Sequence, residues 1–218
     1  MVYKSWQKMK GKNVPSTSHL SERILEYLRP KSAVLDLGCG FGRLSGFFDA
    51  RGFEVYGIDI NDLAIEEAKR NEELQRVRFS VQDATNTNFT NDFFCGIVSQ
   101  AVLACMSLED RKKVLRECCR VLEPRGVIQI AEFGLIENKE EYFEHAKITG
   151  EYGTVIVKNQ DDSEKFRTHN FAKEELESLI TEVKLQILHY ENPDFITISK
   201  NQHPGHIFIC QKSDYKIR

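Results

Sequence analysis

Apolar and polar positions along the chain fall into short blocks that alternate between two periods. Ala33-Val34-Leu35-Asp36-Leu37 is a compact apolar run closed by glycines, Phe53 to Ile60 is a second, and Val77-Arg78-Phe79-Ser80-Val81 alternates at period two. Phe93 to Ser99 and Val127 to Phe133 are two more such runs. Each reads as a strand, and runs that are apolar throughout read as strands covered on both faces. Between them the spacing changes to that of helices. Leu63, Ile65, Ala68 and Leu74 follow the cap signal Asn61-Asp62, with Glu66 and Arg70 placed to pair four apart. Val114, Leu115, Cys118, Val121 and Leu122 form a stripe that begins after the capping box Ser107 to Asp110 and ends at Pro124. A further helix is expected from the glycine run through Phe48, ending near Gly52. Leu20, Ile24, Leu25 and Leu28 predict another ahead of the first strand, with Ser18 as N-cap and Pro30 as its stop.

Five strand and helix units in about 100 residues predict a mostly parallel sheet, because parallel strands need crossover connections. The rest of the chain differs in texture. Gly134 to Lys147 is charged and helical in pattern, while Tyr152 to Lys158 and Lys165 to His169 read as two strands around Gln160-Asp161-Asp162. Glu174 to Ile180 is helical again, and Val183 to Glu191 with His206 to Gln211 are expected to pair antiparallel at the sheet edge.

Composition narrows the classes. The chain has 218 residues, a length at which one core suffices without disulfides or a structural metal. Thirty basic and 33 acidic side chains leave a net charge of -3, which announces neither nucleic acid nor an acidic tail as partner. The longest unbroken apolar run, Ala101 to Met106, is far short of the roughly 20 residues of a membrane-spanning helix. Lys4, Lys8, Lys10 and Lys12 crowd the start, but no apolar stretch follows to make a signal peptide, so the expectation is a cytoplasmic protein. None of the six cysteines is spaced as a zinc knuckle, and they are expected to be buried thiols. No metal site is expected: His203 and His206 read as turn and edge-strand residues.

The chemistry sits in Asp36-Leu37-Gly38-Cys39-Gly40-Phe41-Gly42, between a strand and a helix. Glycines there let a ligand approach the backbone at the carboxyl end of the sheet. A dinucleotide fingerprint spaces its glycines G-x-G-x-x-G so that a pyrophosphate meets the helix N-terminus. Here the spacing is G-x-G-x-G and an aspartate precedes it, which makes a poor host for diphosphate and sets a nicotinamide dehydrogenase aside as the rival reading.

This segment resembles the first motif of the class I S-adenosylmethionine-dependent methyltransferases. Asp59 at the end of the second strand resembles the family's ribose-binding acid, Gln82-Asp83-Ala84 its adenine-gripping segment, and Leu122-Glu123-Pro124-Arg125-Gly126 its turn before the fifth strand, with Arg125 in place of the usual glycine. The resemblance runs from about Lys31 to Phe133, is weaker over Phe171 to Lys212 and is absent between. It implies one Rossmann-like α/β domain over 1–218, with a mostly parallel seven-stranded sheet, one antiparallel edge strand and helices on both faces. Residues 1–30 would form an arm and helix, 31–133 the cofactor core, 134–169 an inserted substrate cover, and 170–218 the last helix and edge strands. It implies S-adenosylmethionine as cofactor and S-adenosylhomocysteine as product, held by Asp36, Gly38, Cys39, Gly40, Asp59, Ile60, Asp83, Ala84 and Gln100.

In that arrangement the Asp59 carboxylate accepts both ribose hydroxyls, in charge-assisted bonds about twice as strong as neutral ones. Asp83 and the Ala84 amide serve the adenine, and Asp36 with Gly38 faces the methionine end, whose ammonium the Gln100 carbonyl contacts. His169 is the candidate general base, weighed against a strand-end histidine satisfied by a neighbour; Tyr142 and His145 are weaker candidates. Tyr3 and Trp6 could close over the sulfonium by a cation–π contact, the alternative being a frayed arm. The expected activity is methyl transfer to a small-molecule nucleophile, with no membrane or nucleic-acid partner. The alternatives are a protein or tRNA acceptor, or a cofactor-binding regulatory protein without turnover.

Overall fold

The computed structural model of the chain describes residues 19–137, 139–158, 161, 164–196 and 201–214. Strands β1 (Ala33–Leu37), β2 (Glu54–Asp59), β3 (Arg78–Val81), β4 (Phe94–Gln100) and β5 (Leu122–Phe133) are joined in this order, with helices α1 (Arg43–Asp49), α2 (Asp62–Arg70) and α3 (Leu108–Val121) among the connections. These five strands pair parallel. After α5 (Lys173–Glu182) come β8 (Leu185–Glu191), β9 (Asp194–Ile196) and β10 (Gln202–Lys212), and the sheet runs β3-β2-β1-β4-β5-β10-β8 with β9 paired to β10.

The sheet is buried on both faces, and the strand period decides which residue goes where. Val34, Val98, Val127 and Ile209 point to one face, against Ile24, Phe48, Ile65 and Ala68. Leu35, Ile97, Ile128 and Phe208 point to the other, against Val114, Leu115, Leu176 and Leu179. Asp36 shares the parity of Val34 and so faces α1. Caps agree with the sequence: the Asn61 side chain accepts from the Ala64 amide at 3.1 Å and Ser107 from the Asp110 amide at 3.3 Å.

The last two long strands pair antiparallel as expected, and four details differ from expectation. The antiparallel strand is β10, one place inside the edge, while the edge strand β8 runs in the direction of β5. β8 enters from a helix, as a parallel crossover does, and the return through β9 drops β10 into the gap between β5 and β8. With β9 the sheet counts eight strands. The helix expected ahead of β1 is only a 3-10 turn, Glu22–Glu26, behind Ser21; Ser18, Tyr3 and Trp6 lie outside the described residues. The segment just after it anchors locally: Leu28 packs so closely over Gly96 that a Cβ there would collide with Leu28 Cδ2. Finally, β5 begins at Leu122 rather than Val127, because the Glu123 to Gly126 turn is absorbed as an irregularity in which Arg125 takes φ 65°.

The inserted segment forms α4 (Glu140–Thr149) and a separate two-stranded hairpin of β6 (Thr154–Lys158) and β7 (Glu164–His169). Its base is closed where the Phe171 amide donates to the Phe133 carbonyl at 2.8 Å and the Leu135 amide to the Phe171 carbonyl at 3.0 Å. No helix among the described residues is long and apolar enough to cross a membrane.

Ile97, fully buried at the middle of the sheet, tests this architecture. Ile97→Ala should lower the unfolding free energy by about 2–5 kcal/mol in urea titration, the range for large-to-small changes in a packed core.

Candidate active site

Site residues gather where β1, β2, β3 and β4 end. Past Leu37 the chain turns through Gly38, Gly40 and Gly42, whose φ angles of 72°, 51° and 82° all lie in the left-handed region. Crowding explains two of them: a Cβ at Gly38 would meet Val102 Cγ2 at 2.5 Å, and one at Gly42 would meet Phe79 Cζ at 2.7 Å. Gly40 differs, since nothing lies within 4 Å of its Cβ position. The loop therefore presents open space at Gly40 and packed protein on either side.

Asp59 ties that loop to β2. Its Oδ2 accepts from the Gly40 amide at 2.9 Å and its Oδ1 from the Asn61 amide at 2.8 Å. Burial pushes its carboxyl above the usual range, while these amide bonds pull the other way. Asp36 is deeper, 3% exposed, and accepts from Ser45 Oγ of α1 at 2.6 Å. Burial pushes its carboxyl up to about 6, against the bond from Ser45 and the charge of Arg43. The Gly38 and Cys39 amides both donate to the Ile58 carbonyl, at 2.8 and 2.9 Å. Burial raises the Cys39 thiol well above its ordinary pKa, so it is a packing group rather than a nucleophile.

Asp83 stands beyond β3 in an Asx turn, its Oδ1 accepting from the Thr85 amide at 2.9 Å and the Thr85 hydroxyl at 2.7 Å. The preceding Gln82 amide donates to the Asp59 carbonyl at 3.1 Å, which joins the β2 and β3 ends. Ile60 and Ala84 are half-buried against the core beside them. Gln100, at the end of β4, accepts from Arg43 Nη2 at 3.0 Å through its side-chain carbonyl and donates to the His19 carbonyl. Thus Asp36, Gly38, Cys39, Gly40, Asp59, Ile60, Asp83, Ala84 and Gln100 lie along the carboxyl ends of four adjacent strands.

His169 is placed elsewhere. Its ring is 1% exposed, with Nδ1 against Thr154 Oγ1 at 2.8 Å and Nε2 against the Glu175 carboxylate at 3.0 Å. Both nitrogens are engaged, the arrangement expected of the alternative reading, a strand-end histidine satisfied by its neighbours. Tyr142 is equally buried, its hydroxyl accepting from Asn170 Nδ2 at 2.9 Å.

Three charged side chains bonded near the sheet ends escaped the sequence reading. Arg43 bridges to Gln100. Glu132, fully buried on β5, accepts from the Leu103 and Ala104 amides at 2.8 and 3.2 Å. Arg111, 1% exposed on α3, donates from Nε to the Leu103 carbonyl at 3.1 Å and from both terminal nitrogens to Glu151. The signal existed: a lone acid inside the apolar run Val127 to Phe133, and an arginine in register with the stripe Val114, Leu115, Cys118. Glu151, His169 and Glu175 also bring metal-ligand atoms within 4.8 Å of one another, but the positive charge those carboxylates face is the Arg111 guanidinium.

The pattern described as "Methyltransferase domain" matches residues 34–126. The ribosomal protein L11 methyltransferase of Thermosipho africanus is 30% identical over 155 residues, which span 68% of this chain and 57% of that protein. The chain spans about half the length of the curated relatives it matches. A crystal structure of a SAM-dependent methyltransferase from Methanosarcina mazei superposes with a TM-score of 0.83 at 28% identity, covering 89% of this chain and 98% of that one. The 1,6-didemethyltoxoflavin-N1-methyltransferase of Burkholderia thailandensis, solved with S-adenosylhomocysteine, shares the fold with a TM-score of 0.62 at 20% identity over 85% of this chain and 72% of that one. A motif match that covers the glycine loop and both following strand ends, joined to a fold match over nearly all of the archaeal structure, gives this chain a methyltransferase domain over residues 34–126 within the fold of the class I S-adenosylmethionine-dependent methyltransferases.

Proposed function

We propose that this chain binds S-adenosylmethionine at the carboxyl ends of β1 to β4 and transfers its methyl group to a small-molecule nucleophile. The observation that carries the reading is the pairing of open space at Gly40 with the Asp59 carboxylate that holds the Gly40 amide. A carboxylate offers about four acceptor positions, so the backbone amides on Asp59 leave it capacity to accept from the sugar as well. The donor set suits a ligand without phosphate: the buried Asp36 and the half-buried Asp59 are acids that would repel a diphosphate and attract an ammonium.

When bound, S-adenosylmethionine supplies a methyl group already activated on a sulfonium. The chain's part is then alignment and exclusion of water, and orientation alone supplies about 7–11 kcal/mol in favourable systems. The glycine loop and Asp59 fix the sugar, Asp83 and Ala84 the base, and Asp36 with the Gln100 carbonyl the amino-acid end. Strand β7 of the hairpin packs on the turn after β4, which supports a compact acceptor. With His169 engaged on both nitrogens, no proton step is assigned to it. A protein acceptor is the second reading, favoured by the likeness to an enzyme named for ribosomal protein L11.

Asp59→Ala should weaken S-adenosylhomocysteine binding about 10- to 100-fold in calorimetry, the equivalent of one or two bonds to a charged group; undiminished binding would overturn the reading. Asp36 gives a pH signature. Its carboxyl, raised to about 6, must ionise to face an ammonium, so affinity should fall as pH drops through about 6. Asp36→Asn should abolish that slope. Incubation with isotopically labelled S-adenosylmethionine and separated metabolite, protein and RNA fractions should place the label in the metabolite fraction; label in protein would select the second reading.

A further inference from the structure

Between the cofactor crevice and the inserted cover lies one short segment, Ala101 to Cys105, whose backbone is held from both sides by buried charges. Ala101 takes φ 54°, outside the region favoured by a residue with a Cβ, and a 3-10 turn follows at Leu103–Cys105. On one side the two Glu132 oxygens accept from the Leu103 and Ala104 amides at 2.8 and 3.2 Å. On the other, Arg111 Nε donates to the Leu103 carbonyl at 3.1 Å. The residue at the head of this turn is Val102, and its Cγ2 fills the space where Gly38 of the cofactor loop would carry a Cβ. The same guanidinium donates to both oxygens of Glu151, at the foot of the hairpin, and lies 3.5 Å from Glu175 on α5. Glu151 in turn accepts from Thr154 Oγ1 at 2.7 Å and stands 3.5 Å from His169.

Resting on the reading above, we propose that Glu132 and Arg111 are positioning residues for methyl transfer. Glu132 clamps the turn so that Val102 stays against Gly38, and Arg111 fastens that turn to the cover hairpin, so that cofactor crevice and cover are set by one charge network. Neither side chain touches the reacting atoms. A buried acid on a strand and a buried arginine on a helix are costly unless each is paired; here Glu132 is satisfied by one turn of backbone, and Arg111 by the same turn and by Glu151. Burial pushes the Glu132 carboxyl up to about 8, against the Leu103 and Ala104 amides and the charge of Arg111. The other titratable groups facing it are the Cys105 thiol in the turn and, across the strand pair, His206 on β10, whose pKa burial lowers. As pH rises through about 8 the carboxylate becomes fully charged and grips both amides.

The test uses the full chain and two variants, Glu132→Gln and Glu151→Gln. A glutamine keeps the shape of Glu132 but turns one acceptor into a donor aimed at an amide. Amide hydrogen exchange at Leu103 and Ala104 should speed up about tenfold or more in Glu132→Gln, with the amides of β1 and β4 unchanged. S-Adenosylhomocysteine affinity, by calorimetry, should fall several-fold, and its rise between pH 7 and 9 in the wild type should vanish. Glu151→Gln leaves the Glu132 clamp intact and should still lower that affinity, non-additively with Glu132→Gln. A Phe94→Leu control of similar thermal destabilisation, at the opposite end of β4, should leave it unchanged. The proposal fails if Glu132→Gln alters neither the turn's exchange nor the pH dependence, or if the control loses as much affinity as the variants. Should the wild type bind no S-adenosylhomocysteine, the functional reading fails instead, and the exchange data alone decide whether Glu132 holds the turn.

Discussion

The bond from the Gly40 amide to the Asp59 carboxylate joins the glycine loop after β1 to the end of β2, and much else at the crevice follows from it. A loop of three left-handed glycines has little rigidity of its own, because glycine loses more backbone freedom on ordering than any other residue. Here the freedom is removed by three attachments to β2: Gly38 and Cys39 on the Ile58 carbonyl, and Gly40 on Asp59. The loop is thereby held open at Gly40 before any ligand arrives. Such preorganisation suits the proposed methyl transfer, whose donor is already activated and for which alignment would be the main contribution.

Charge is distributed along the sheet ends in two separate groups. On the β1 and β2 side, the buried Asp36 and the half-buried Asp59 are acids answered by a hydroxyl, backbone amides and Arg43 nearby, an arrangement that leaves net acceptor character at the strand ends. On the β4 and β5 side, Glu132, Glu151 and Glu175 surround one buried guanidinium. The first group is suited to a ligand rich in donors. The second is self-contained, which explains why His169, drawn into it, has no nitrogen left for an acceptor.

Much of the fold was legible because a doubly covered parallel sheet writes itself as apolar runs, and the caps at Asn61 and Ser107 use side chains with a local geometry. The loop and its acids were legible for the same reason: glycine and aspartate at strand ends have positional meaning. The β8 and β10 strands were visible as strands, yet their order was not, since period two says which face a residue takes and nothing about its neighbour. The short turn at Glu22–Glu26 was overread as a longer helix because apolar spacing of three and four also describes a few anchoring residues.

By itself, then, the sequence determined the alternation of strand and helix, the glycine loop with Asp36 and Asp59, and the capping of the main helices, all of which depend on neighbours within a few positions. Tertiary structure alone decided that β10 lies between β5 and β8, that Glu132 grips a turn 28 and 29 residues away, and that Arg111 meets Glu151 across 40. Those contacts join residues far apart in the chain, and only the packed sheet, which fixes where distant strand ends meet, brings them within hydrogen-bonding distance.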